Sequence, residues 1–110
     1  MIKRISLVWK RPELTHVEFR ALWLGEHVKC AKRLIGLREY VIDFVTDGPA
    51  EGPSGIATIR FDSREALDAA FGDSELVQEL LRTRDSFAQS VQVMLVEEEN
   101  IVSGTNLRTR

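Results

Sequence analysis

One cysteine, two histidines and no apolar run near twenty residues are what this chain has least of, and each shortage closes off a class of function. Cys30 has no partner for an internal disulfide, and no signal-peptide pattern opens the chain, so a cytoplasmic location is expected. The apolar runs fall well short of the ~20 residues that span a bilayer, so no membrane partner is expected. Charge of one sign is also missing. The net charge is −2, and the basic Lys3, Arg4, Lys10 and Arg11 are outweighed elsewhere, which leaves nothing to suggest nucleic acid. The absence of a glycine-rich phosphate loop, a nucleophile elbow or a paired-carboxylate motif argues against dinucleotide chemistry. His27 and Cys30 share a helical face, but His16 lies eleven residues before His27, roughly 16 Å along a helix axis, so the three cannot meet at one ion. No metal site and no cofactor are expected.

What is present suffices for one domain with one core, since 110 residues bury roughly 65% of their unfolded surface. The domain is expected over residues 1–99, followed by a polar tail at 100–110. Lys3 to Trp9 alternates Ile5, Leu7 and Trp9 with Arg4, Ser6 and Val8, which reads as a strand, and Pro12 then blocks its continuation. Thr15 and Glu18 form a capping box, with Leu14 and Phe19 at the staple positions, so a helix is expected from there to a left-handed stop at Gly36. Leu37 to Val45 reads as a second strand. It ends in "TDGPAEGPSG", whose three glycines and two prolines predict a mobile loop with a secondary role at most. "GIATIRF" is the third strand. Asp62 or Ser63 then caps a short helix carrying Ala66, Leu67, Ala70 and Phe71, Gly72 interrupts, and Leu76, Val77, Leu80 and Leu81 form another helical stripe. "SVQVMLVEEE" is the fourth strand. The resulting order, βαββαβ, predicts an α+β ferredoxin-like fold: an antiparallel sheet with helices on one face.

Two strands offer apolar residues to both sides. The second presents Tyr40, Ile42 and Phe44 to one side and Leu37, Val41 and Val45 to the other; the fourth sets Val91, Val93 and Leu95 opposite Met94 and Val96. Helices cover one face only, so the other is expected to pack on the sheet of a second copy, giving a homodimer.

The first helix carries the candidate chemistry. At about 100° per residue, Phe19, Trp23, Cys30 and Leu34 form one stripe, and His16, Arg20 and His27 fall on or near it. An imidazole and a guanidinium on an inner stripe need partners or a wet cavity. His27 is therefore a candidate general acid–base or else a hydrogen-bonded core histidine; Arg20 either enters the pocket or snorkels to solvent beside an acid. His16, in the first turn, is expected to face solvent. Cys30 reads as a small buried hydrophobe before a nucleophile. Tyr40 either donates its hydroxyl toward His27 or sits as a core tyrosine with its hydroxyl at the rim. Asp85 either orients the imidazole or pairs with Arg82 or Arg84.

The run "EFRALWLGEH" resembles the E-F-R-x-x-W-x-x-x-H signature of the EthD-like branch of dimeric α/β-barrel proteins, matching at Glu18, Phe19, Arg20, Trp23 and His27. "GLREYV" and "GIATIRFDSREALDAAF" are similar to later blocks of the same family. The resemblance implies a dimer whose sheets close into a barrel. It also implies relatives among lactone isomerases, aromatic polyketide cyclases and partners of oxygenase systems, while haem-degrading proteins of the wider barrel group raise haem ligation as another use for a histidine. The expected site has His27 as the catalytic acid–base and Arg20, Trp23, Tyr40, Phe19, Cys30 and Asp85 as substrate-binding residues. The expected activity is isomerisation, cyclisation or decarboxylation of a small apolar carbonyl or lactone metabolite. The alternative is a non-catalytic dimer that binds a hydrophobic metabolite or serves an oxygenase system.

Overall fold

The computed structural model describes residues 1–102, so residues 103–110 of the expected polar tail lie outside the described residues. The elements run β1 (Ile2–Lys10), α1 (His16–Leu22), a π-helical turn (Trp23–His27), α2 (Val28–Ala31), β2 (Glu39–Phe44), β3 (Gly55–Phe61), α3 (Arg64–Ala70), α4 (Ser74–Asp85) and β4 (Ala88–Glu97). The strands pair antiparallel in the order β2-β3-β1-β4, the ferredoxin-like arrangement, with the helices on one face.

Local chemistry sets most boundaries. Thr15 Oγ1 accepts from the Glu18 backbone N–H at 3.1 Å, and Glu18 Oε1 accepts from the Thr15 N–H at 2.8 Å, completing the capping box at the start of α1. Asp73 and Ser63 cap α4 and α3 with the side chain alone, accepting from the Leu76 and Ala66 N–H groups. Gly36, at φ 78°, turns the chain after α2 with a conformation that costs other L-residues about 1–2 kcal/mol. The expected single helix from Thr15 to Gly36 is instead broken: regular α-helix stops at Leu22, the π turn intervenes, and α2 closes at Ala31. Strand β2 is also shorter than expected, because Leu37 leaves the sheet and packs into the helix-side core.

Register fixes the faces. Val8 lies between Gly55 of β3 and Val91 of β4, and Ser6 between Ala57 and Val93, so these residues share one side of the sheet with Tyr40, Ile42 and Phe44 of β2. Beneath the helices the core divides in two. Cys30, Leu34, Ile59, Phe61, Leu76 and Leu80 belong to one cluster, which joins α2, α3 and α4 to the sheet. The other is aromatic: Phe19, Trp23 and Phe87 pack with Val8 and Ala88, Trp23 stacking on Phe87 at 5.1 Å and meeting Phe19 edge-on at 5.5 Å.

Trp23 approaches the sheet closely where β3 begins with glycine. A Cβ on Gly55 would collide with the Trp23 ring carbons Cζ3 and Cη2. Gly55→Ala is therefore expected to push the indole out of place and destabilise the protein by about 1–3 kcal/mol, read as a lower urea midpoint with an unchanged slope. An unchanged midpoint would show that the ring has room to retreat.

The loop between β2 and β3 is better anchored than its composition suggests. Trp9 Nε1 donates to the Glu51 carbonyl at 2.9 Å, Lys10 N to Ser54 Oγ at 3.2 Å, and Ser54 N to the Val8 carbonyl at 2.8 Å. Glycines and prolines deny the segment a strand or helix of its own, but its final residues extend the sheet by pairing with β1. No helix among the described residues is long and apolar enough to cross a membrane.

Candidate functional site

Between the two core clusters the packing is incomplete. A cavity of about 140 Å3 lies there, walled by Trp23 and Phe87 on one side and by Leu34, Ile59 and Leu80 on the other. An engineered cavity of ~150 Å3 holds benzene, so this one takes about a single ring; a porphyrin does not fit inside it. Its polar groups are His27, Tyr40, Arg4, Ser6 and Arg84.

His27 reaches the cavity through the π turn. Such a turn adds one residue to a helix and re-aims the side chains that follow. Gly25, with φ −85° and ψ −118°, is where the helical path breaks, and Trp23 and His27, which open and close the turn, both line the cavity. The same turn brings the imidazole to α4, where His27 Nδ1 stands 2.8 Å from Thr83 Oγ1.

That contact assigns the tautomer. Thr83 Oγ1 also lies 2.8 Å from the Glu79 carbonyl oxygen and 3.2 Å from that of Leu80. A hydroxyl has one proton, and the carbonyls can only accept, so the proton goes to the backbone and a hydroxyl lone pair faces the ring. His27 Nδ1 then carries the hydrogen and donates to Thr83. The other nitrogen, Nε2, then keeps its lone pair.

The ring is also held neutral. Burial is the largest cause lowering its pKa, the positive charge of Arg84 adds to it, and a contact with the Leu80 carbonyl opposes them in part; together they bring the value to about 4. The unfolded chain, with an imidazole near 6.5, binds more protons than the folded one between the two values. The His27 contribution to folding stability should therefore be lost progressively as pH drops from about 6.5 to about 4 and change no further below that. The change is on the order of 3 kcal/mol, and His27→Gln should lack it. Urea unfolding of both proteins across that interval measures the difference, and parallel curves would contradict it.

The remaining expected site residues separate. Tyr40 and Trp23 join His27 at the cavity. Burial pushes the Tyr40 hydroxyl above its usual pKa, so it stays protonated; the Trp23 indole N–H lies close enough to oppose that shift, yet is buried without completing a hydrogen bond. Phe19 is fully buried behind Trp23. Cys30 is buried between α2 and α4, where its thiol is 3.6 Å from Glu79 Oε2; burial first, then Glu79, push its pKa up and leave it an unreactive thiol. Arg20 is exposed, its guanidinium 4.6 Å above the Phe44 ring, over an open groove beside Leu24 and Ile42. Asp85 is exposed and pairs with Arg84 at 3.1 Å. His16 faces solvent as expected.

Sequence reasoning missed Thr83, Arg84, Arg4 and Ser6. A signal for two of them was present: Arg4 and Ser6 alternate with Val8 on the side of β1 that has to meet the helices, where apolar residues are the rule. Thr83 similarly interrupts the buried stripe of Leu76 and Leu80 on α4. Among the described residues no three His, Cys, Asp or Glu side chains gather as metal ligands.

The signature residues of the first helix thus have distinct places: Glu18 closes a cap, Phe19 and Trp23 build the aromatic cluster, and His27 faces the cavity. The model of the EthD domain matches residues 11–90, most of the chain and all of these positions. The chain belongs to the EthD family. Solved structures agree with the EthD fold. An ethyl tert-butyl ether D family protein from Bacillus halodurans C-125 is 22% identical, with a TM-score of 0.74 over 90% of this chain and 99% of its own. A dimeric ferredoxin-like protein of unknown function from Thermobifida fusca is 14% identical, with a TM-score of 0.65 over 88% of this chain and 90% of its own. SnoaB, a cofactor-independent oxygenase from Streptomyces nogalater, is 11% identical, with a TM-score of 0.62 over 88% and 91%. No curated protein matches the sequence significantly.

Proposed function

We propose that this EthD protein is an acid–base enzyme in which His27 moves a proton on a small, largely apolar carbonyl or lactone compound held in the cavity. The observation that carries the reading is the His27 imidazole, held through Nδ1 at 2.8 Å from Thr83 Oγ1 and kept neutral by burial, on the wall of a cavity sized for one ring. Nε2 takes a proton from carbon beside the carbonyl, and the electron pair left behind moves onto the carbonyl oxygen as an enolate. Tyr40, kept protonated by burial, is the donor on the cavity wall for that oxyanion. The imidazolium then returns the proton at another carbon, which isomerises the compound, or to the alkoxide formed when the enolate carbon attacks a second carbonyl of the same molecule, which cyclises it; in the decarboxylase variant the C–CO2 bond of a 3-keto acid breaks in place of the C–H bond and leaves an enolate of the same kind, which then takes up a proton. Each step moves only protons and electron pairs within the substrate. SnoaB, described as a cofactor-independent oxygenase, indicates that this fold accommodates cofactor-free chemistry.

The functional unit we propose is a homodimer joined through the sheet face away from the helices. There Ile5 of β1 lies in register with Thr58 of β3 and Met94 of β4, and Leu7 with Ile56 of β3; Val41 and Met94 remain 41% and 39% exposed in the single chain. Lys3, Glu39, Arg60 and Glu98 tie one end of this apolar area with ion pairs of 2.7–3.3 Å. That a protein of the same fold is described as dimeric supports a pair of chains.

Mass spectrometry of the protein released from purified material tests the ligand reading. A ring-sized metabolite should leave with the wild type and be missing from Ala57→Phe, which fills the cavity from β3. Equal recovery from both would place the ligand elsewhere.

A further inference from the structure

We propose that Arg4 and Arg84 form an anion subsite at the cavity, so that its ligand is a single-ring compound bearing a carboxylate or an equivalent oxyanion. The inference rests on the cavity being the small-molecule site and specifies what that site selects. Both guanidiniums line the same apolar space as His27. Arg4 lacks the carboxylate partner that Arg11, Arg33, Arg38, Arg60, Arg64 and Arg84 each have within 3.1 Å, in Glu13, Glu79, Asp62, Glu98, Asp68 and Asp85. Arg4, half-buried, meets no carboxylate side chain among the described residues, and residues 103–110 contain no Asp or Glu. It has a 3.4 Å hydrogen bond to Ser6 Oγ and the Phe71 ring at 4.7 Å. Arg84 is held by its sequence neighbour Asp85, whose side chain is 65% exposed, a pairing of small worth.

Burial first, and then the charge of Arg84, lower the pKa of Arg4, so the two cations that line the cavity repel one another. A guanidinium kept partly from water without a counter-charge is costly, and a planar carboxylate removes that cost with two parallel hydrogen bonds. The walls set the rest of the ligand: one ring between Trp23 and Phe87 on one side and Leu34, Ile59 and Leu80 on the other. The anion would also act on the chemistry. His27 is faced by Arg84 and Thr83 from α4, Arg4 from β1 and Tyr40 from β2, while the Glu79 carboxylate is taken up by Arg33 and Cys30. A carboxylate at the arginines would offset the positive charge that Arg84 projects onto the imidazole and make Nε2 a stronger base when the site is filled.

The test uses benzoate and benzyl alcohol, a charged and a neutral ring of similar size, titrated into the whole protein while the Trp23 indole resonance is followed. Benzoate should bind at least about tenfold more tightly than benzyl alcohol, and Arg4→Met and Arg84→Met should each remove about tenfold of benzoate affinity while leaving benzyl alcohol unchanged. Retained benzyl alcohol binding certifies that a variant is folded; if one does not fold, the comparison of the two probes on the wild type still decides. Equal affinities, or benzoate binding indifferent to both substitutions, would overturn the anion subsite and leave the cavity as an apolar site. Absence of any Trp23 response to either probe would overturn the subsite together with the proposed ligand cavity.

Discussion

Replacing His27 with Gln should lower turnover of the protein's substrate by about 10²–10⁴-fold, the usual worth of one general acid–base group, and leave ligand affinity within about tenfold. The fold should survive because of how Thr83 is satisfied. Its proton already goes to the Glu79 carbonyl, so loss of the ring leaves only an acceptor lone pair unmet, a smaller cost than an orphaned donor. Gln preserves an N–H for Thr83 but has no nitrogen that accepts a proton, whereas Ala removes both. If positioning through Thr83 were all that His27 provides, Gln would retain activity and Ala would lose it. Equal and large losses in both variants, with unchanged circular dichroism, are expected from a proton carrier.

The second large effect concerns the sheet. Leu7 stands in mid-strand on the outer face, in register with Ile56 of β3 and Gln92 of β4. If a second copy covers this face, Leu7→Glu buries a carboxylate without a partner at a cost of several kcal/mol, and two-fold symmetry applies it twice. The dissociation constant should rise by at least about three orders of magnitude. Sedimentation equilibrium should then report the 12.5 kDa chain instead of twice that mass. A wild type that already sediments as a single chain, or a variant that sediments as a pair, would contradict the interface.

Much of this was legible before any coordinates. The capping box at Thr15 and Glu18, the glycine stop at Gly36 and the alternation in β1, β2 and β4 are local signals, read from residues a few positions apart; they give the element order and which residues of a strand share a side, but not which side meets the helices. The surplus apolar residues Val41, Met94 and Val96 marked a second face needing cover by the same reasoning. The site was legible only in part. His27 was singled out by its place on an inner stripe, but that stripe assumed an unbroken 3.6-residue period, and the π turn at Trp23–His27 is one residue out of step with it. The same assumption drew Arg20 inward, whereas the structure puts its guanidinium over Phe44 at the surface. Thr83 lies 56 residues beyond His27, and their meeting depends on how α4 lies across the π turn, which no local period encodes. Arg4 and Arg84 likewise come together through sheet register and helix placement, though the inward alternation of Arg4 was a readable clue.

A neutral His27 with its proton on Nδ1 has a direct signature in ring ¹⁵N NMR from about pH 3 to 8. Nδ1 should be protonated and Nε2 bare at neutral pH, with titration only near pH 4, where burial and Arg84 have brought it. A ring carrying its proton on Nε2, or one titrating at the ordinary value near 6.5, would contradict that assignment.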